Sequence, residues 1–376
     1  MSRRHALLIA SALLGGCAVK TPPVVHTPPR PVELAALPPA ADSDLRAGFD
    51  VWREHCGRAR YGDAWQTACR EARSLPDDAD AIRRFLEQRM QIRPLLGETG
   101  GDTGLITGYY EPVYRGSLTP DSAFKVPVYG VPDDLVTVSL AGVYPELKGK
   151  RLRGRLSGRQ VVPYDDAATL LRQGAKAPAL AWLANPMDLQ FLQVQGSGRI
   201  RLGNGRELRV GYADQNGHPY RPIGRWLIEQ GELKPGTVTM DSIRAWADAH
   251  PARVADLVSS NPSYVFFRTL PDSDSGPIGA SGVPLTAGYS IASDPTVVPP
   301  GSLVWLATTF PDGPLLTRPV VAQDTGGAIK GRVRADLFWG TGDQAGRLAG
   351  RMQQPGRMWL FWPRGEPLPD SVAARK

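Results

Sequence analysis

Two aspartates toward the C-terminal end of the chain have surroundings suited to acid–base chemistry. Asp324 opens the segment Asp324-Thr325-Gly326-Gly327-Ala328-Ile329-Lys330-Gly331, directly after the apolar run 319–322. Asp336 lies twelve residues later, inside Val333-Arg334-Ala335-Asp336-Leu337-Phe338-Trp339. A carboxyl set among apolar side chains is desolvated, which disfavours its charged form and keeps it protonated nearer neutral pH. In that state it can protonate a leaving oxygen, as cleavage of a glycosidic bond requires. Taken alone, such a pair more often marks turns and a solvated edge.

Other motifs fail on spacing. Gly326 to Gly331 contains Lys330 but lacks the Gly-x4-Gly-Lys-Ser/Thr order that cradles phosphates. Gly196-Ser197-Gly198 and Gly203-Asn204-Gly205 read as tight turns. Gly279-Ala280-Ser281-Gly282 has no histidine nearby and is not a nucleophile elbow. The histidines (5, 26, 55, 218 and 250) are scattered without metal-ligand spacing, so no metal site and no cofactor are expected.

The elements that must position the aspartates are mainly β. Helical periodicity dominates 43–91, where Leu45, Phe49 and Trp52 share one face and Ile82, Phe85, Leu86 and Met90 another, with Asp77 and Asp78 as cap candidates. From Gly104 onward, short β-like runs broken by Gly and Pro appear at 104–110, 125–129, 135–140, 191–194, 200–202 and 208–212. Short helices are predicted near 165–172, 223–230 and 242–259, and further strands at 302–308, 318–323, 333–338 and 358–362. Many short strands with dense turn signals favour barrels or sandwiches over a parallel α/β sheet.

The chain begins with an address. Arg3, Arg4 and His5 precede an apolar run at 6–14, too short to span a bilayer and readable as a secretory signal over 1–16. Leu14-Gly15-Gly16-Cys17 resembles the bacterial lipobox, which implies a lipidated Cys17 and, with Ala18 next, an outer-membrane destination facing the periplasm. Residues 17–41 are proline-rich and read as a stiff tether. About 335 residues follow, enough for two domains. With 44 Lys and Arg against 37 Asp and Glu, the net charge is +7, mild enough to sit near an anionic surface. It shows no basic patch of the kind nucleic-acid binders present, so nucleic acid is not an expected partner. Beyond Cys17 there remain Cys56 and Cys69, an even pair in an oxidising compartment. On one continuous helix they would lie ~20 Å apart, so a disulfide needs a chain reversal, which Gly57 or Gly62 could supply. Otherwise they are two free thiols.

Asp294, Asp324 and Asp336 resemble the three aspartates of the three-aspartate (3D) domain, a double-psi β-barrel. With them come Thr107-Gly108-Tyr109-Tyr110-Glu111-Pro112, Phe191-Leu192-Gln193-Val194-Gln195-Gly196-Ser197-Gly198, Asn261-Pro262-Ser263-Tyr264-Val265-Phe266-Phe267 and Gly282-Val283-Pro284-Leu285-Thr286. Together these motifs are similar to the membrane-bound lytic murein transglycosylase A family, over roughly residues 100 to 362. The resemblance implies two domains. Residues 42–112 plus 260–376 would form the barrel domain with its N-terminal helices, and 113–259 an inserted β domain. A groove between them would hold peptidoglycan glycan strands.

By the same resemblance, Asp336 is the catalytic acid/base and Asp324 a neighbouring aspartate that shapes and polarises the site. Tyr109, Tyr110, Gln195, Ser197 and Asp294 are implied substrate contacts. The implied reaction forms 1,6-anhydromuramic ends, and a wall-remodelling complex is an implied partner. Two other readings fit the residues: an inverting hydrolase pairing Asp336 with Asp324 or Glu111, and a wall-binding lipoprotein without activity.

Overall fold

The computed structural model describes residues 29–97, 99–147 and 152–369. Residues 1–28, with the expected signal and Cys17, lie outside the described residues.

Six strands close into a barrel. Gly104–Glu111 pairs with Arg334–Thr341, which pairs with Ser290–Ser293, then Leu315–Asp324, Leu303–Thr309 and Gln353–Pro363. The last of these pairs back onto Gly104–Glu111 and closes the ring. Two of the pairings are parallel, Ser290–Ser293 with Leu315–Asp324 and Arg334–Thr341 with Gly104–Glu111. A further strand, Met90–Pro94, extends the sheet along Gln353–Pro363.

Three helices, Asp42–His55, Asp63–Ser74 and Ala79–Arg89, cover one side of the barrel. The first buries Leu45, Phe49 and Trp52, spaced as one helical face, against Phe85 and Trp65. Its Gly48 lies against Pro319, where an added Cβ would stand 2.1 Å from the Pro319 carbonyl oxygen. Only a glycine lets the helix approach the strand that ends in Asp324 so closely. The chain reverses between the first two helices, and a disulfide joins Cys56 to Cys69 with their Cα atoms 5.7 Å apart.

The expected tether is shorter than 17–41. Val32 bridges Ile92, Leu37 is buried, and the Trp305 indole N–H donates to the Pro38 carbonyl at 3.0 Å. Apolar burial and these backbone partners dock 29–41 on the barrel side.

The second domain is a six-stranded sheet from Val113–Ser117 to Val265–Thr269, with a small three-stranded sheet beside it. Its boundary lies beyond the expected residue 259, because Val265–Thr269 pairs with Glu207–Gln215 and buries Phe266 and Phe267 in that domain's core. A second correction concerns 191–194, expected as a strand. It lies within the helix Pro186–Gln195. The local signals are Asn185 as N-cap, accepting from the Asp188 N–H at 2.9 Å, Pro186 in the first turn, and Gly196 as a left-handed C-cap. Near alternation of apolar 187, 189, 191, 192 and 194 with polar 188, 190, 193 and 195 hid the helical period.

Candidate active site

The barrel's register sets Asp324, Ala292, Asp336 and Thr107 in one row across four adjacent strands. Ala292 pairs with Asp324 on one side and Asp336 on the other, and Asp336 pairs with Thr107. Directly paired residues project from the same face of a sheet, so the small Ala292 leaves space between the two carboxyls. Their backbones are two strand spacings, about 10 Å, apart.

A bulge makes this row possible. Ile291 pairs with Ala322, yet Ala292 pairs with Asp324, so Gln323 is an extra residue on that strand. Plain alternation would turn Asp324 to the side of Ala322; the bulge turns it to the side of Ala292. Buried Gln323 is held by the Ser290 hydroxyl, which donates to its Oε1 at 2.5 Å.

Three donors converge on Asp324. The Ala280 N–H donates to Oδ1 at 2.9 Å, the Tyr109 hydroxyl to Oδ2 at 2.9 Å, and the Thr325 N–H also donates. Burial nevertheless lifts the Asp324 pKa above the ordinary carboxyl range, against the pull of those donors. Tyr109 is itself buried and beside Asp324, both of which push its hydroxyl well above its usual pKa and keep it a donor. Its ring packs against Phe338, 5.3 Å between centroids.

Asp336 differs. The Thr107 hydroxyl donates to Oδ1 at 2.6 Å, and Oδ2 has no hydrogen-bond partner among the described residues. Burial pushes its pKa up to about 6; the Thr107 hydrogen bond and the Arg334 guanidinium oppose the rise, and the Asp324 carboxyl adds to it. Asp336 is therefore a half-buried carboxyl, with one unoccupied oxygen, that holds a proton two pH units beyond a free aspartate. Gly108 sits between Thr107 and Tyr109, and an added Cβ there would meet the Trp339 ring at 2.6 Å.

The other expected contacts have different surroundings. Tyr110 projects to the opposite side of its strand from Tyr109 and packs with Ala345 and Ala349 of the helix Asp343–Arg351. Gln195 accepts the Tyr110 N–H at 3.0 Å, and buried Ser197 opens the strand Ser197–Arg201. Asp294, expected to bind substrate, has both oxygens committed to the protein. Oδ1 accepts the Thr296 N–H and hydroxyl at 3.0 and 2.7 Å, and Oδ2 accepts the Gly331 N–H at 3.0 Å. Burial would raise its pKa, but these donors prevail and hold it below the ordinary value. Asp294 thus ties a turn to the loop leading into the Asp336 strand.

Glu111 is fully buried at the domain junction, where Arg199 Nε donates to Oε2 at 2.8 Å and the Thr341 hydroxyl donates to the same oxygen at 2.8 Å. It shares a strand with Thr107, four residues or about 13 Å away, which places the Asp336 row near the seam between domains. A cavity of about 150 Å³ borders Asp324 and is lined also by Ala280, Ser281, Ser293 and Thr325. A larger one, about 350 Å³, lies against His55 and Tyr61 and contains neither Asp336 nor Tyr109.

Residues 105–268 match the family model described as the MltA specific insert domain, and 289–362 match the 3D domain. The chain is 36% identical over 264 residues to the membrane-bound lytic murein transglycosylase A of Escherichia coli strain K12, covering 68% of this chain and 64% of that relative. The match thus spans just under two thirds of the relative's length. Among solved structures, MltA from Neisseria gonorrhoeae superposes with a TM-score of 0.74 at 33% identity, over 90% of this chain and 91% of that one. E. coli MltA with bound chitohexaose superposes with a TM-score of 0.67 at 28% identity, over 89% and 95%.

Proposed function

The chain belongs to the membrane-bound lytic murein transglycosylase A family, and on that premise we propose that it cleaves peptidoglycan glycan strands without water, using Asp336 as a single acid/base. The bond cut is the β-1,4 link between N-acetylmuramic acid and N-acetylglucosamine. The Asp336 carboxyl gives its proton to the leaving oxygen as the C1–O bond breaks. The resulting carboxylate then takes the proton of the muramyl C6 hydroxyl, whose oxygen bonds to C1 and closes a 1,6-anhydro ring. Asp336 ends as it began, protonated.

The observation that carries this reading is the contrast between the two carboxyls of the row. Asp336 keeps an oxygen unoccupied and a pKa near 6, whereas Asp324 is engaged by three donors. A hydrolase pairing two carboxylates needs a second one able to activate water. Asp324 is held in place by its donors, and Glu111 is sealed in an ion pair away from solvent. One working acid with a nucleophile supplied by the substrate fits better. Asp324 and Tyr109 would fix the geometry and polarise the site, and the seam between domains would hold the sugar chain; that the E. coli relative binds chitohexaose supports a sugar-chain substrate.

The named relatives are membrane-bound, and no helix among the described residues is long and apolar enough to cross a membrane. A lipid on Cys17, which closes the lipobox-like Leu14-Gly15-Gly16-Cys17, would anchor the chain to the outer membrane within reach of the wall and its remodelling complexes. The functional reading is tested with purified sacculi: Asp336→Ala should lower cleavage by several orders of magnitude and still bind glycan strands. Substantial turnover by that variant would move the acid elsewhere.

A further inference from the structure

The larger cavity, about 350 Å³, is of a size that takes a small ligand. It adjoins the smaller one at Asp324, because Ser281 and Pro300 line both. The loop joining the helices Asp42–His55 and Asp63–Ser74 lines it, together with Val321 and Gln323 of the strand that ends in Asp324. Arg58, Arg60 and His55 supply its charge, and no acidic side chain among the described residues lines it. Both arginines are exposed, and neither makes an ion pair or side-chain hydrogen bond with a described residue.

The loop that carries them is fixed all the same. The disulfide holds Cys56, and the Trp65 indole N–H donates to the Cys56 carbonyl at 2.9 Å. The Gln66 amide donates to the Ala59 carbonyl at 2.9 Å, and the Tyr61 hydroxyl to the Pro300 carbonyl at 2.9 Å. Gly301 closes on Ala59, whose Cβ would stand 3.3 Å from a Cβ added there. A backbone pinned on both sides of two unpaired guanidiniums needs no ordering when an anion arrives. Arginine matches a carboxylate with two parallel N–H donors. The proposed substrate offers such carboxylates, since muramyl units bear short peptides joined through their amino ends. The strands of Asp336 and Asp324 lie about 10 Å apart, and four extended residues span at most about 14 Å. A peptide on a muramyl unit held at Asp336 can therefore pass Asp324 and reach the cavity beside Gln323.

We propose that this cavity is a subsite for the carboxylates of the muramyl peptide, with Arg58 and Arg60 as their partners, and that it makes peptide-bearing strands the preferred substrate. The proposal rests on the reading of the chain as a peptidoglycan-cleaving enzyme with Asp336 as its acid. The first measurement is calorimetric binding of N-acetylglucosaminyl-N-acetylmuramic acid, a unit too short to be cut, with and without its tetrapeptide. The peptide-bearing form should bind about ten-fold more tightly, and the difference should shrink as salt rises. Arg58→Ala combined with Arg60→Ala should abolish the difference and unfold at the parental temperature. Arg58→Lys combined with Arg60→Lys, which keeps the charge, should retain part of it. The second measurement is the ratio of kcat/KM on peptide-bearing strands to that on strands stripped of peptide. It should be about ten in the parent and near one in the alanine variant. Equal binding of the two disaccharides by the parent, or an undiminished difference in the alanine variant, would overturn the proposal. Cleavage of neither strand, with the binding difference present and lost in the alanine variant, would overturn the catalytic reading and support the subsite.

Discussion

Thr107 and Asp336 face each other on parallel strands of the barrel, and the threonine hydroxyl donates to the carboxyl at 2.6 Å. That bond favours the ionised form of Asp336 while burial favours the neutral one, and burial prevails. The rate should therefore fall as pH rises through about 6, where Asp336 loses the proton it must donate. Thr107→Val removes the hydrogen bond that opposes the rise, so the alkaline limb should shift to higher pH. A pH profile of kcat/KM on glycan strands checks it; a limb that moves downward or stays fixed contradicts this coupling.

The same burial has a consequence for stability. A carboxyl whose pKa is raised by folding contributes stability fully below the unfolded value, near 4, and that contribution is lost as pH rises toward about 6. Asp336→Asn keeps an oxygen for Thr107 to donate to and removes the charge. The variant should melt at a higher temperature than the parent above pH 6, and the difference should close below about pH 4. Calorimetry at the two pH values decides it. A variant less stable than the parent at high pH would show that Asp336 is not a desolvated acid.

Much of this site was legible in the sequence, and the part that was not is geometric. Asp336 stood out because an acid interrupts an apolar strand, and Asp324 because it follows one. Nothing in the sequence shows that Gln323 bulges and turns Asp324 toward Asp336, since a bulge is set by the partner strand. Thr107 lay inside a quoted motif but gave no sign of its role, because its partner is 229 residues away. Asp294 was expected as a substrate contact through its likeness to the three-aspartate set. In the structure its oxygens accept from Thr296 and Gly331, partners that residue type and position alone could not reveal. The helix Pro186–Gln195 was hidden because its apolar residues 187, 189, 191, 192 and 194 alternate with polar 188, 190, 193 and 195 in a strand-like pattern, although Asn185-Pro186 and Gly196 are its start and stop signals.

Tyr109 links the two halves of the site by donating to Asp324 from the strand that carries Thr107. Tyr109→Phe keeps the ring against Phe338 and removes one donor. Turnover should drop about ten- to a hundred-fold, in line with loss of one placed hydrogen bond at a site of developing charge, with little change in KM. A KM effect alone would make Tyr109 a sugar-binding residue that does not support Asp324.

Arg199 and Glu111 join the domains close to the acid. Removing one partner of a buried pair leaves an uncompensated charge, and Glu111 is fully buried. Arg199→Leu should cost about 3 to 5 kcal/mol of stability, read by denaturant unfolding at pH 7. A loss below about 1 kcal/mol, the value of an exposed pair, would mean that water reaches the junction.

The central claim is that water takes no part in the cleavage. A positioned C6 hydroxyl has a large effective-molarity advantage over free water once Asp336 has become a base. Sacculi digested in heavy-oxygen water should release muropeptides whose muramyl ends carry no label, resist borohydride reduction and are lighter by one water than hydrolysed products. Labelled, reducible ends as the main product would contradict the account and assign the chain to a two-carboxylate hydrolase.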